Sequence, residues 1–239
     1  MIAIICFKWS KPGYRSTFLP VHVNTLRRMV ARHYPHPFRF ICVTDDATGL
    51  DPEVEHVPLW DDHAAIPNPS WPTGPSCYRR LKVHSDWFAQ LIGPGTRMVL
   101  MDLDVVVTDD LSPIVHREEP FLMWETGHPT ITHCASMVMA TAGANTQIWD
   151  TFDPKNSPRL ATQDGRMKGS DQSWLYYVMR KKLAGWGPKH GVYSYRDHCV
   201  KQYQSKLPKG ARIVVFHGRP DPWCYSALQA SPWIHDHYY

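Results

Sequence analysis

The sequence lacks any long apolar run, and this absence excludes a membrane-spanning helix. No stretch of its 239 residues approaches the roughly 20 consecutive apolar residues that a membrane span needs. The apolar start at residues 2–7 is too short for the hydrophobic part of a signal peptide, with no basic segment before it and no small-residue cleavage site after it. We therefore expect a cytoplasmic protein.

Paired cysteines are also missing. The six cysteines are scattered without a Cys-X-X-Cys pair, and the fourteen histidines contain no His-Glu-X-X-His pattern. Scattered cysteines in apolar surroundings are usually reduced core residues. We therefore expect neither a disulfide nor a structural zinc ion.

The chain has no long run of one charge and no glycine-rich fingerprint. Its net charge of +4 is mildly basic, but no Lys/Arg run is long enough to indicate a nucleic acid or membrane partner. The turn after the first strand lacks Gly-X-Gly-X-X-Gly, which excludes a dinucleotide fingerprint. A small phosphate-bearing molecule fits this charge better than a polymer.

Strand and helix patterns do alternate along the chain. The N-terminal third predicts strand, helix and strand at 2–7, 15–33 (beginning near Pro20) and 38–44, which is the βαβ signature of a parallel sheet. Further strands are predicted at 54–59, 98–101, 121–124, 136–140 and 213–216, further helices at 77–91, 144–152 and 171–183, and a long loop at 61–76. With 43% hydrophobic residues available for a core, we expect one α/β domain over residues 1–239, its mainly parallel central sheet flanked by helices.

Two acids follow the strand at 98–101. Asp102 and Asp104 lie one residue apart between the apolar runs 98–101 and 105–107. A buried carboxylate is costly without a positive partner, so the strand is expected to end at Asp102 and the Asp-Leu-Asp turn to bind a divalent cation. Mg²⁺ and Mn²⁺ take carboxylate oxygens and often keep phosphate as a co-ligand. The alternative is a strand end with two solvated or capping acids.

Other polar groups also follow predicted strands. In open α/β sheets, ligands bind at the carboxyl ends of the strands, where Lys8, Trp9, Asp45 and His217 are expected. His217 is a candidate third metal ligand, Gly218 lets the backbone approach a ligand closely, and Arg219 can hold a phosphate through a bidentate contact. The alternative is a proline-rich turn with one incidental histidine.

Two further groups complete the candidates. Asp171 and Gln172 open a predicted helix, where they are expected to bind sugar hydroxyls. The alternative is that Ser170 or Asp171 is the N-cap of this helix. The helix before the Asp-Leu-Asp strand carries Arg79, Arg80 and Lys82, which form either a solvated cationic face or a source of positive charge near a diphosphate.

The order of these motifs resembles the glycosyltransferases of family 8 and their relatives, including glycogenin-type enzymes, which have the GT-A (Rossmann-like) fold. The resemblance runs from about residue 2 to 223. It is carried by the first strand, a loop with Tyr14, the Arg80-Leu81-Lys82 helix, Met-Asp-Leu-Asp-Val-Val-Val, Asp-Gln opening a helix, and His-Gly-Arg-Pro-Asp-Pro-Trp near the end.

This resemblance implies a metal-dependent transferase that moves a sugar from a UDP-sugar to a carbohydrate, protein or other hydroxyl acceptor. It implies Mn²⁺ (or Mg²⁺) as cofactor and retention of the anomeric configuration. The implied positions are Asp102, Asp104 and His217 at the metal; Phe7, Lys8, Trp9 and Tyr14 near the uracil; Arg80, Lys82, Leu103 and Gly218 at the donor; and Asp171, Gln172 and Arg219 near the transferred sugar and leaving group.

The chain departs from the family pattern in two places. The family has His-Phe-X-Gly-X-X-Lys-Pro-Trp, whereas Asp221 stands here in place of the phosphate-binding Lys. Cys134-Ala135-Ser136 replaces its Asn-Ser-Gly strand.

These departures keep other functions open. The first alternative is a sugar-nucleotide-binding protein that has lost catalysis. The second is a metal-dependent nucleotidyltransferase, although the glycine-rich triphosphate loop of such enzymes is missing. The third is a lectin-like domain, which would be mainly β. A glycosidase needs two carboxyl groups flanking the scissile bond, whereas a leaving diphosphate needs only charge stabilisation.

Overall fold

The computed structural model describes residues 1–9, 16–70, 76–163, 165, 167, 169 and 171–239. The strands in these ranges are β1 (Ile2–Lys8), β2 (Phe38–Thr44), β3 (Glu55–Pro58), β4 (Arg97–Met101), β5 (Val105–Val107), β6 (Phe121–Glu125), β7 (His133–Thr141), β8 (Ala184–Trp186), β9 (Val192–Ser194) and β10 (Ile213–Val215). The α-helices are α1 (Pro20–His33), α2 (Asp86–Ile92), α3 (Ser112–Val115), α4 (Gln147–Asp150), α5 (Ser157–Leu160), α6 (Asp171–Met179), α7 (Tyr225–Ala230) and α8 (Trp233–His237).

A seven-stranded mixed sheet forms the centre of the fold, in the order β3-β2-β1-β4-β7-β6-β8. The pairs β3/β2, β2/β1, β1/β4 and β6/β8 are parallel, while β7 runs antiparallel to both of its neighbours. The predicted α/β class with a mainly parallel sheet flanked by helices is therefore confirmed. β4 is an inner strand, and it ends at Met101, immediately before Asp102.

A second, smaller sheet has the order β5-β10-β9. β10 pairs antiparallel with β5 and parallel with β9. The sequence patterns predicted β10, at 213–216, but not the sheet, because β5 and β9 are three residues each and carry almost no periodicity. It joins the segment after Asp104 to the segment before His217.

Both faces of the central sheet are covered. Side chains alternate along a strand, so Ile4 and Cys6 belong to one hydrophobic cluster with Leu26 of α1, whereas Ile5 belongs to another with Phe88 of α2. Burial on both sides explains why every residue of β1 is buried and why the strand is apolar from Ile2 to Phe7.

The prediction of one continuous helix over 77–91 was wrong, because the chain forms two separate helical segments there. A 3₁₀ segment spans Tyr78–His84, and α2 begins at Asp86. Ser85 between them is extended, with its Oγ accepting from Phe88 N at 3.2 Å and donating to Lys82 O at 2.7 Å. Apolar spacing alone does not reveal that this serine caps a new helix.

Helices α1, α4 and α6 follow the predictions in place, with shifted ends, whereas α3, α5, α7 and α8 were not predicted. α1 begins at Pro20, because proline suits the first turn of a helix. α4 and α6 are shorter than the predicted spans 144–152 and 171–183. None of the described helices is both long and apolar enough to cross a membrane. The six cysteines are free thiols.

We expect Ser85→Ala to lower the free energy of unfolding by about 1 kcal/mol, since it removes the cap of α2. The measurement is urea unfolding followed by tryptophan fluorescence. Ser226→Ala is the matched control, because Ser226 is an exposed position in the first turn of α7, and it should change the stability by less than about 0.5 kcal/mol. Equal effects of the two substitutions would contradict the capping role.

Candidate active site

The carboxyl ends of β1, β2 and β4 lie at one edge of the central sheet, because these strands are parallel neighbours. Lys8 is the buried last residue of β1. Asp102 follows β4, and its backbone N–H donates to Ser136 O of β7 at 2.9 Å. This edge is where open α/β sheets bind ligands. Of the polar groups predicted there, Lys8, Trp9, Asp45 and Asp102 adjoin its strand ends, whereas His217 follows β10 of the small sheet.

A buried arginine connects Asp102 to the start of α6. The side chain of Arg80 is 9% exposed, with Nη1 2.9 Å from Asp102 Oδ1 and Nε 3.3 Å from Asp171 Oδ2. Its Nη2 donates to Ala135 O at 2.7 Å. Arg80 therefore holds three elements together: the strand end at Asp102, strand β7 and helix α6.

The charges of this group depend on one another. Burial by itself would lower the pKa of Arg80, but the carboxylates of Asp102 and then Asp171 raise that pKa above its ordinary value. The guanidinium therefore stays charged and balances one of the two acids. The whole group carries a net charge of −1 when both acids are ionised.

His217 lies in a second polar group, beyond the end of β10. Its Nε2 is 2.7 Å from Ser194 Oγ and 3.5 Å from Asp197 Oδ2, and its Nδ1 is 3.2 Å from Arg196 Nη2. Partial burial raises the pKa of Asp197, but Lys201, Arg196 and His217 outweigh this and lower it overall. Asp197 is therefore ionised near neutral pH.

The small sheet brings the two metal-candidate segments together. Val215 pairs with Val105 across the antiparallel β10/β5 ladder, and Phe216 N donates to Asp104 O at 2.9 Å. His217 consequently follows directly on the residue that is bonded to Asp104, although the two lie far apart in the sequence. Asp104 itself is 2% exposed.

Two neighbouring cavities adjoin these groups. One, of about 200 Å³, is lined by Asp102, Arg80, Asp171 and seven other residues. The second, of about 280 Å³, is lined by His217, Asp197 and Arg196 among others. Cys134 and Gln172 line both cavities. Burial raises the pKa of the Cys134 thiol to about 11, so that it presents a neutral wall near neutral pH.

A third cavity, of about 670 Å³, holds Arg219. Its walls are Ser16 and Thr17 on one side and the segment from Arg219 to Ser226 on the other. Arg219 is exposed, whereas Asp221 is 4% exposed and accepts a hydrogen bond from Ser16 Oγ at 2.5 Å. We call this space the Arg219 cavity.

The other predicted donor residues have different surroundings. Phe7 at the end of β1 has its ring centre 5.5 Å from the Arg80 guanidinium carbon, and Leu103 is buried between the two acids. Gly218 has a φ of +93° and lines the second cavity. Trp9 is half-buried, with the guanidinium carbon of Arg79 5.7 Å from its ring centre.

Lys82 makes its contacts at a different part of the surface. Lys82 forms an ion pair with Asp62 at 2.7 Å, with its Nζ 4.7 Å from the ring centre of Trp87. The ammonium group of Lys82 therefore contacts Asp62 and an aromatic ring. Tyr14 lies outside the described residues.

No three His, Cys, Asp or Glu side chains of the described ranges are grouped as a metal site would require. Asp102 is partly exposed but bonded to Arg80, and the His217 imidazole is bonded to Ser194. The metal site predicted from the sequence therefore stays a prediction.

Sequence reasoning missed the partners of His217. Ser194 and Asp197 were not singled out, although Ser-X-X-Asp is a pattern typical of a helix start. Ser194 Oγ does accept from Asp197 N at 3.0 Å and caps the π-helical turn Tyr195–Val200. The capping pattern was readable, but its position beside His217 depends on the parallel pairing of β9 with β10.

No protein-family model and no curated protein matches the chain by sequence, whereas solved structures do match its fold. The galactosyltransferase LgtC, in complex with donor and acceptor sugar analogues, has a TM-score of 0.62 at 14% identity, covering 100% of this chain and 97% of LgtC. The glycosyltransferase GlyE of Streptococcus pneumoniae TIGR4 has a TM-score of 0.57 at 12% identity, covering 94% of this chain and 57% of GlyE.

The bifunctional glycosyltransferase WbbM in its apo form has a TM-score of 0.54 at 11% identity, covering 98% of this chain and 50% of WbbM. At identities this low, the similarity concerns the fold. The chain therefore has the GT-A fold of these solved glycosyltransferases.

Proposed function

We propose that the protein transfers a sugar from a UDP-sugar donor to a hydroxyl acceptor. The observation that carries the proposal is the Asp-Leu-Asp turn at the carboxyl end of inner strand β4, directly beside the strand that leads to His217. This turn adjoins a cavity lined by polar side chains, within a fold shared with solved glycosyltransferases.

Asp102, Asp104 and His217 would hold a Mn²⁺ or Mg²⁺ ion. Two carboxylates and an imidazole suit Mn²⁺ in their chemistry. The β5/β10 ladder supports the set because Asp104 precedes β5 and His217 follows β10, at adjoining ends of two paired strands. Binding requires one ring nitrogen of His217 to give up its partner, which is Ser194 for Nε2 and Arg196 for Nδ1. When bound, the ion would stabilise the negative charge that develops on the departing diphosphate.

The side chains of the chain have separate tasks in this proposal. Arg80 fixes the orientation of Asp102 and Asp171 through its buried contacts. Asp171 and Gln172, which line the cavity of about 200 Å³, would form hydrogen bonds with hydroxyls of the donor sugar. Arg219 contacts the phosphates of the leaving group. Retention of anomeric configuration is the expected stereochemical outcome.

A sugar-nucleotide-binding protein without turnover is the second candidate. It is favoured by Asp221, an acid at the position where the family that the sequence resembles has a phosphate-binding lysine. The two functions differ in turnover but share the binding of UDP.

We expect turnover of UDP-sugars to require Mn²⁺ or Mg²⁺ and to be lost in excess chelator, because the leaving diphosphate needs a counter-charge. Asp104→Asn keeps the size of the side chain but removes one carboxylate. It should weaken Mn²⁺ binding, measured by calorimetry, by about 100-fold or more, since loss of even an outer-shell partner costs 10–100-fold.

The exposed Asp150 of α4 provides the control. Asp150→Asn should bind Mn²⁺ as tightly as the parent. Full turnover in chelator, or unchanged Mn²⁺ affinity in Asp104→Asn, would refute the metal assignment.

We expect Arg219→Ala to lower kcat by about 100- to 1000-fold, by analogy with removal of one oxyanion-hole donor. The reason is that a guanidinium–phosphate contact strengthens as charge develops on the leaving group. Steady-state kinetics with the best UDP-sugar gives kcat and KM separately. Arg180→Ala, which removes the cation next to the Tyr177 ring, is the control, and a kcat within about threefold of the parent in Arg219→Ala would argue against this role.

A further inference from the structure

The Arg219 cavity lies between two segments that are distant in the sequence. Ser16 and Thr17 precede helix α1, whereas Arg219, Pro220 and Asp221 follow strand β10. Each segment needs support, because residues 16–19 and 216–220 belong to no helix or strand. The contacts that join the two walls therefore decide the shape of the cavity.

Asp221 makes one of these contacts at a buried position. Its Oδ2 accepts from Ser16 Oγ at 2.5 Å, and the two residues are 4% and 8% exposed. Hydrogen bonds to a charged acceptor are stronger than neutral ones, and a buried partner left without its bond is costly. Asp221 is therefore a buried part of the wall of the Arg219 cavity, held there by its hydrogen bond from Ser16.

Aromatic contacts join the same two segments further along. The rings of His22 and Trp223 are stacked, with centroids 3.9 Å apart and an interplanar angle of 14°. Phe18 contacts Trp223 edge to face at 5.9 Å. We call the Ser16–Asp221 hydrogen bond together with these ring contacts the Trp223 clamp.

We infer that Asp221 is a positioning residue of the Trp223 clamp, which holds the Arg219 cavity in shape for the diphosphate end of the donor. The inference rests on the proposed function. A carboxylate suits this task because it accepts from Ser16, whereas a lysine at this position would have no acceptor for the hydroxyl. The phosphate contact then belongs to Arg219, two residues earlier in the same turn.

For Asp221→Lys, the clamp and the family pattern predict opposite changes in UDP binding. If position 221 were a vacant phosphate-binding position, Asp221→Lys would restore the contact and tighten UDP binding. If Asp221 is part of the clamp, the same substitution removes the acceptor for Ser16 and places an ammonium group at a buried position. UDP binding should then weaken about tenfold or more.

The experiment is a calorimetric titration of UDP, with MnCl₂ present, into the parent and the variants Asp221→Lys, Ser16→Ala, Asp221→Ala and Ser16→Ala/Asp221→Ala. We expect each single variant to bind UDP about tenfold more weakly. The double variant should be no weaker than the weaker single one, because both substitutions break the same contact. In kinetics, the donor KM should rise more than kcat falls.

Two variants serve as controls. Asp150→Lys makes the same change of charge at an exposed position of α4 that lines none of the three cavities, and it should leave the affinity for UDP unchanged. Asp221→Asn keeps an oxygen acceptor for Ser16 and should stay within about threefold of the parent. Urea unfolding identifies any variant that is not folded; if Asp221→Lys is one of these, Ser16→Ala decides the result.

The outcomes separate the two proposals. If the parent does not bind UDP, the proposed function is wrong and the positioning role fails with it. If the parent binds UDP and Asp221→Lys or Ser16→Ala binds it as tightly or more tightly, only the positioning role of Asp221 is overturned.

Discussion

The candidate site depends on one buried cation. Arg80 reaches Asp102 at the end of β4, Asp171 at the start of α6 and the carbonyl of Ala135 in β7. Removing one partner of such a buried charge group generally costs about 3–5 kcal/mol, because the remaining charges lose their counter-charge. Arg80 thus determines where both acids lie and lets two carboxylates line a cavity of only about 200 Å³.

The small sheet has a comparable role for the second half of the site. Without the β5/β10 ladder, nothing in the central sheet would place the segment after β10 beside the Asp-Leu-Asp turn. The same sheet positions β9, whose last residue, Ser194, is bonded to His217. A ladder of three residue pairs therefore connects the candidate metal ligands with the polar group around Asp197.

The departures from the family pattern have different physical meanings. Cys134 lies between two cavities with a protonated thiol, so that it offers a soft, neutral surface where the family has an amide. Asp221 instead is buried against Ser16 and is part of the wall of the Arg219 cavity. A substitution that looks like the loss of a ligand in the sequence is thus, in the structure, the gain of an internal contact.

The sequence by itself determined the βαβ start, the end of β4 at Asp102 and the placement of polar groups at strand ends, because strand periodicity and turn chemistry are local. It did not reveal the break at Ser85, which depends on a single hydroxyl. It did not reveal the small sheet either, because β5 and β9 are too short to show periodicity. Only the tertiary structure decided that Arg80 faces Asp102 while Lys82 pairs with Asp62. Both cations belong to one 3₁₀ segment, and which of them is buried depends on the elements packed around it.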